Sequence, residues 1–328
     1  MKILITGASG MLAQAVREKF ARDEGAEIVL TDLSGKKIEE SADTRALKEE
    51  VQSNGNNKVD SLFLDITDPE GIEEVFEQVC PVVVINCAAY TAVDKAETQE
   101  ELAYKINADG PGNLARACKE LGDSERWKMM AADGEVPEGG PVLVHISTDY
   151  VFGGSKPISE DYAEDDEKAP ETAYGRTKLA GEEQIEESGC NYYIFRTAWL
   201  YGHGGKNFIE TMISLSKEHD EISVINDQHG SPTYTNDLTD IIYQAVTNHI
   251  PYGIYNATNL GFTTWYDFTR EIFRLKNIDT KVKPISSEEY NALAKRPLNS
   301  KMSKNKLLNA GIKIPSWQDG LRRYLDEK

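Results

Sequence analysis

The sequence predicts an α/β protein, with a doubly wound parallel sheet followed by a smaller C-terminal α/β substrate-binding unit. Three observations predict it. Short runs rich in Val and Ile alternate with helix-like stretches through the first 200 residues. The first run opens directly onto a glycine turn. Beyond about residue 200 the pattern changes to helices with shorter strands.

Taken in order, KILITG reads as a buried strand, MLAQAVREKFARD as a helix and EIVLTD as a second strand. LFLDI is a third strand, PEGIEEVFEQV a helix and PVVVINCAA a fourth strand. ELAYKINADGPGNLARACKELG reads as one long helix before the fifth strand, PVLVHIST. Strands without polar alternation are those covered on both faces, and right-handed crossovers between them produce the doubly wound arrangement. Residues 34–58 and 123–140 are polar or turn-rich and read as surface insertions. The acidic run at 160–171 reads as a solvated loop. FIETMISLSKE and YDFTREIFRLK are helices of the second unit, whereas part of 226–250 is expected to return to the first.

The chain has 328 residues, 40% of them hydrophobic, enough for a buried core in each unit. Its net charge of −19 repels nucleic acid and anionic membranes, which argues against both as partners. The apolar run in MKILITGASG is too short for a signal peptide, and no uncharged apolar stretch of about 18 residues follows, so the expected location is the cytoplasm. Cys80, Cys87, Cys118 and Cys190 lie far apart, and the five histidines lack metal-ligand spacing; no metal is expected. His145, inside PVLVHIS, reads as a satisfied core histidine.

Gly7-Ala8-Ser9-Gly10 leaves the first strand and starts the first helix. Gly7 permits the tight turn, Gly10 lets the backbone approach a pyrophosphate, and Ala13 stands where a third glycine is often found. The amides and positive dipole at that helix start attract an anion. This is the fingerprint of a Rossmann dinucleotide site, so residues 1–200 read as the dinucleotide-binding part and 201–328 mainly as the substrate-binding part. Asp32, ending the second strand, is positioned to accept adenosine ribose hydroxyls, which leans toward NADH; Lys36 and Lys37 just beyond can instead receive the 2′-phosphate of NADPH. Asp65-Ile66 reads either as an adenine contact or as a cap for the following helix. Ala88, Ala89, Tyr90 and Thr91 lie at the end of the fourth strand, on the edge where ligands bind.

Tyr174 and Lys178 are four residues apart and share one helical face. A phenol with its ordinary pKa near ~10 is a poor acid–base group at neutral pH, and a neighbouring ammonium lowers it. Thr148, at the end of the fifth strand, can offer a hydroxyl to a substrate carbonyl. Thr148 and Tyr174 would stabilise an alkoxide as hydride arrives, and Tyr174 would supply the proton.

The motifs GASGML, AAYTAVDKAE, INADGPGNLA, STDYVF, YGRTKLAGE, RTAWLYG and DQHGSPTYTNDL, together with KRPLNSKM, resemble those of the dTDP-4-dehydrorhamnose reductase family of extended short-chain dehydrogenases. The likeness runs nearly end to end, with Gly153-Gly154 where Asp-Gly is common. It implies reduction of the C4 ketone of dTDP-4-dehydro-L-rhamnose by NADH or NADPH. By the same resemblance Thr148, Tyr174 and Lys178 are the catalytic trio. Gly10, Met11, Leu12, Asp32, Asp65, Ile66, Ala88, Ala89, Tyr90 and Thr91 contact the cofactor. Val93, Asp149, Tyr150 and Trp199 lie near the nucleotide-sugar, with Arg296 at its diphosphate. Two other readings compete: a different nucleotide-sugar 4-ketoreductase or epimerase, and a non-catalytic regulatory subunit like that of methionine adenosyltransferase. A homodimer is compatible with each.

Overall fold

A computed structural model of the chain describes residues 1–33 and 59–327. The expected insertion at 34–58, with Lys36 and Lys37, lies outside the described residues. Among the described residues seven strands form one sheet: β1 (Lys2–Thr6), β2 (Glu27–Asp32), β3 (Val59–Phe63), β4 (Val83–Asn86), β5 (Val142–Thr148), β6 (Asn191–Thr197) and β7 (Gly253–Asn256). Their order is β7-β6-β5-β4-β1-β2-β3, and every pairing is parallel. The chain moves outward from β1 in one direction, then returns to place β4 on its other side. That reversal brings Thr6 opposite Asn86 and opens a crevice at the carboxyl ends of both strands.

Side-chain alternation sends Ile3 and Ile5 to one face and Leu4 to the other. The first face is covered by α1 (Met11–Phe20) and by α5 (Thr235–Thr247), whose Leu238, Ile241 and Ile242 are fully buried. The second face is covered by α2 (Pro69–Val79), α3 (Gly110–Asp123) and α4 (Ala173–Ser188). Each Ile or Leu so removed from water contributes roughly 1.5–3 kcal/mol. A separate core around Tyr201, Ile209, Phe268 and Leu321 organises the second unit, where Glu221–Ile225 pairs in parallel with Lys281–Ile285.

Several elements differ from the sequence expectation. The third strand ends at Phe63, before most of LFLDI, because Asp65 turns the chain by accepting from the Thr67 amide at 2.8 Å. The long helix at 101–122 is three pieces: Glu100–Tyr104, a π-helical turn over Lys105–Asp109, then α3. Pro111 lacks the N–H that would continue the α-helical ladder, and Asn107 holds the wider turn by bonding both the amide and carbonyl of Tyr90 at 2.8 and 3.1 Å. The 123–140 segment contains a helix, Glu125–Ala132, capped by Ser124 and anchored by Trp127, which is 1% exposed and donates to the Pro137 carbonyl. Residues 201–328 also supply β7; its four residues, GIYN, are too few and too polar to announce a buried strand. The acidic run is tethered: the Glu164 carbonyl accepts from Arg196 and its carboxylate from the Asn256 amide.

Arg196 on β6 and Glu182 on α4 form a fully buried ion pair with contacts of 3.0 and 2.6 Å, and Glu182 also accepts from the Ser147 hydroxyl. This pair fixes α4 against the ends of β5 and β6. Arg196→Met would strand the Glu182 charge in the core, at a cost of about 3 kcal/mol or more. Urea denaturation should show a lower midpoint with the slope retained; an unmoved midpoint would disprove the structural importance of the pair.

Candidate active site

A cleft of about 690 Å³ lies along the carboxyl edge of β1, β4 and β5 and is closed on one side by the second unit through Trp265. Its floor begins at Gly7. With φ at +63°, this residue adopts left-handed backbone, and a Cβ there would stand 2.7 Å from the backbone of Ala88. β1 and β4 can exit side by side only because that atom is missing. Gly10 is the N-cap of α1 and supplies no side-chain cap, so the first amides of the helix face the cleft without an internal acceptor. Asp32 accepts from the Ser9 amide at 2.9 Å, which ties the glycine turn to the end of β2. These groups suit a dinucleotide: amide donors for a pyrophosphate and a carboxylate beyond them for a ribose.

Gly7, Gly10, Met11, Leu12 and Asp32 all line the cleft, as do Asp65, Ile66, Ala88, Ala89 and Thr91. Asp65 serves its own turn rather than the α2 cap, which is Asp68. Val93, Thr148, Asp149, Tyr150, Tyr174, Lys178 and Trp199 line the same cleft. Two expected residues do not. The Tyr90 backbone is pinned by Asn107, and its hydroxyl donates to Gln99 at 2.6 Å. The Arg296 guanidinium is held by both oxygens of Asp94, at 3.1 and 2.6 Å, an arrangement that keeps the Asp94 carboxyl below its usual range.

The side chains of Thr148, Tyr174 and Lys178 converge through one packing contact. Thr172 caps α4 by accepting from the Gly175 amide at 3.0 Å, which starts the helix one residue before Tyr174. A Cβ on Gly175 would lie 2.4 Å from the Tyr150 carbonyl, so glycine is what lets α4 rest on the turn at Thr148–Tyr150. Tyr174 then packs edge-on against Tyr150, with ring centroids 5.5 Å apart, and faces the Thr148 hydroxyl. Lys178 follows one turn later, 1% exposed, and donates to the Ile146 carbonyl at 2.6 Å.

The electrostatics differ from the expected pairing of phenol and ammonium. Burial pushes the Tyr174 phenol up to about 12; the charge of Asp149 adds to this and the Thr148 hydroxyl opposes it. Burial pulls Lys178 down to about 8, partly countered by Glu182. The Lys178 nitrogen is committed to a carbonyl of β5, not to the phenol. Asp149 is 2% exposed; Thr148 donates to its Oδ1 at 3.0 Å, while Oδ2 is buried without a hydrogen-bond partner among the described residues. Burial pushes this carboxyl up to about 6, against the pull of the Ser300 and Thr148 hydroxyls.

Sequence reasoning missed three contributors. Trp265 stacks on Trp199 at 3.7 Å and 15°, and the Trp199 backbone is left-handed with φ at +49°. TTWYDF carries no signal for this, since the partner ring comes from another unit. Asn107 braces the Tyr90 loop and Thr177, and only the proline at 111 hinted at its widened turn. Asn86 ends β4 inside a buried polar chain with His145 and Lys178. Among the described residues no His, Cys, Asp and Glu cluster suits a metal, and no helix is long and apolar enough to cross a membrane.

A doubly wound sheet whose first glycine turn meets a Tyr-x-x-x-Lys helix across one cleft defines an oxidoreductase of the short-chain dehydrogenase kind. The profile described as RmlD substrate binding domain matches residues 1–124 and 130–328, and the chain belongs to that family. It is 40% identical over 268 residues to a dTDP-4-dehydrorhamnose reductase of Streptomyces griseus, covering 79% of this chain and 81% of that one. The crystal structure of a dTDP-4-dehydrorhamnose reductase from Clostridium acetobutylicum superposes with a TM-score of 0.82 at 40% identity, over 100% of this chain and 99% of that one. The Bacillus anthracis reductase, crystallised in complex with NADP, gives 0.79 at 36% identity, with 100% and 99% covered.

The buried Asp149 makes a prediction with a definite sign. Its carboxyl titrates near 6 in the fold against an ordinary 3.8, so the folded protein holds a proton between those values that the unfolded chain has lost. Stability therefore declines as pH rises from about 4 through 6, by on the order of 2–3 kcal/mol at about 1.4 kcal/mol per unit. Asp149→Asn should melt higher than the parent at pH 8, with the gain shrinking toward pH 4. A gain independent of pH would overturn this account.

Proposed function

We propose that this chain reduces the C4 ketone of dTDP-4-dehydro-L-rhamnose to dTDP-L-rhamnose at the expense of NADH or NADPH. One observation carries the reading: the open start of α1, Asp32 and the Thr148–Tyr174–Lys178 group share a single cleft. The bound nicotinamide would supply a hydride to the carbonyl carbon. The amides after Gly7 would hold the pyrophosphate, and Asp32 the adenosine ribose, which favours NADH. Trp199 and Trp265 offer an aromatic slab for the substrate, and Val93, Asp149 and Tyr150 line the space beside it. Arg296 reaches a diphosphate only after leaving Asp94.

Tyr174 begins protonated at neutral pH, as a proton donor must; burial makes it a weaker acid than an ordinary phenol, so the transfer needs a cation beside the charge it leaves. The Thr148 hydroxyl, turning from Asp149 to the substrate, would share the charge developing on oxygen. Lys178 would shift from Ile146 to hold the nicotinamide ribose and stabilise the phenolate left behind. A cytoplasmic setting, where the nucleotide-sugar and the reduced nicotinamide are made, fits this reading. A homodimer is compatible with the reading, which requires no nucleic acid and no membrane.

Oxidation of NADH and NADPH should be followed with the dTDP-linked ketosugar and with UDP- and GDP-linked analogues. Net consumption with the dTDP compound is expected; none with any ketosugar, or interconversion without net oxidation, would refute reduction. Tyr174→Phe should lose about two or more powers of ten in kcat with cofactor affinity retained. A near-normal rate in this variant would remove Tyr174 from the chemistry.

A further inference from the structure

Beneath the cleft floor a chain of buried polar groups crosses from β1 to α4. The Thr6 hydroxyl donates to Asn86 Oδ1 at 2.6 Å, and the Ala88 amide donates to the same oxygen at 3.1 Å. Since a backbone N–H can only donate, these contacts fix the orientation of the Asn86 amide. Its nitrogen therefore points at His145 Nδ1, 3.1 Å away. An amide nitrogen is a donor, so Nδ1 must accept, and a neutral imidazole then carries its proton on Nε2. His145 is completely buried, and burial together with Lys178 holds its pKa well below the usual value, so the doubly protonated ring is excluded near neutral pH. The Nε2 proton is directed at Lys178 Nζ, 3.3 Å away.

An ammonium has no lone pair with which to meet that N–H; a neutral amine does, and it can still donate to the Ile146 carbonyl. We infer that Asn86 and His145 are positioning residues that act as a tautomer lock, turning an imidazole N–H toward Lys178 and so favouring its neutral form. The depressed pKa of Lys178, about 8, agrees in direction. The other ionisable groups about the lysine are Tyr174, Asp149 beyond it, and Glu182. Of these Glu182 opposes the effect, and it is already committed to Arg196 and Ser147. Brought down to about 8, Lys178 can exchange a proton at mildly alkaline pH, not merely carry a fixed charge. That consequence for turnover rests on the function proposed above; the lock itself does not.

The test needs no substrate. In cofactor-free protein labelled with 15N-histidine, long-range 1H–15N spectra from pH 6 to 9 should show His145 protonated on Nε2 and bare on Nδ1, with His145→Gln used for assignment. A proton on Nδ1, or a doubly protonated ring, would overturn the inference. Asn86→Asp is nearly isosteric but presents a carboxylate to Nδ1, which reverses the tautomer and leaves Nε2 free to accept from the ammonium. The His145 nitrogen spectrum of this variant should show the proton moved to Nδ1, and the Lys178 titration, read at its 13Cε, should then rise by about one unit or more; a rise with the proton still on Nε2 would be the added charge alone and would overturn the lock. Thr6→Val, which disturbs the same cluster without changing the tautomer, should leave that titration unmoved. Equal shifts in both variants, or none in a folded Asn86→Asp, would defeat the proposal. If Asn86→Asp does not fold, the nitrogen spectrum of the parent decides. Failure to reduce a ketosugar would refute the function and leave these spectra unaffected.

Discussion

The arrangement of the candidate site depends on the seating of one helix end. The first turn of α4 rests directly on the turn after β5, with nothing between Gly175 and the Tyr150 carbonyl. That contact places the phenol of Tyr174 beside the Thr148 hydroxyl and sends Lys178 down to β5. The Arg196–Glu182 pair locks the same helix from behind, and Glu182 also holds Ser147, the residue before Thr148. A buried ion pair is weak evidence for net stability, but here it joins β5, β6 and α4 at the point where their mutual position matters most.

The charge of the chain poses a second constraint. At −19, the protein as a whole repels a dinucleotide and a nucleotide-sugar alike. Any anionic ligand must therefore be met by short-range donors, such as the open amides at the start of α1. Arg296 is neutralised by Asp94, so its charge becomes available only by exchange of one anion for another. Inside the cleft burial dominates over charge pairing. It raises Tyr174 and Asp149, lowers Lys178, and pushes the Cys87 thiol up to about 12, leaving that thiol inert.

Much of the sheet was legible because parallel strands buried on both faces leave unbroken apolar runs, and because a glycine turn beside such a run has few other uses. Gly7, Asp32, Thr148, Tyr174 and Lys178 could be placed at strand ends or on a helical face from spacing alone. What stayed hidden depends on tertiary neighbours. β7 is short and half polar, and pairing with β6 is what makes it a strand. Tyr90 belongs to a motif that resemblance assigns to the cofactor, but its bonds to Asn107 and Gln99 cannot be read from that motif. His145 read correctly as a satisfied core residue, but the identity of its partners, and hence the location of its proton, cannot be inferred from PVLVHIS.

The indoles of Trp199 and Trp265 come from different parts of the molecule, one from the chain leaving β6 and the other from the first turn of helix Trp265–Lys276. Their planes lie 15° apart at 3.7 Å, with Gly230 closing the far side of Trp199. A displacement of either ring would change the gap across which the two indoles couple. The pair is thus a built-in optical reporter of the contact between the chain leaving β6 and the helix Trp265–Lys276.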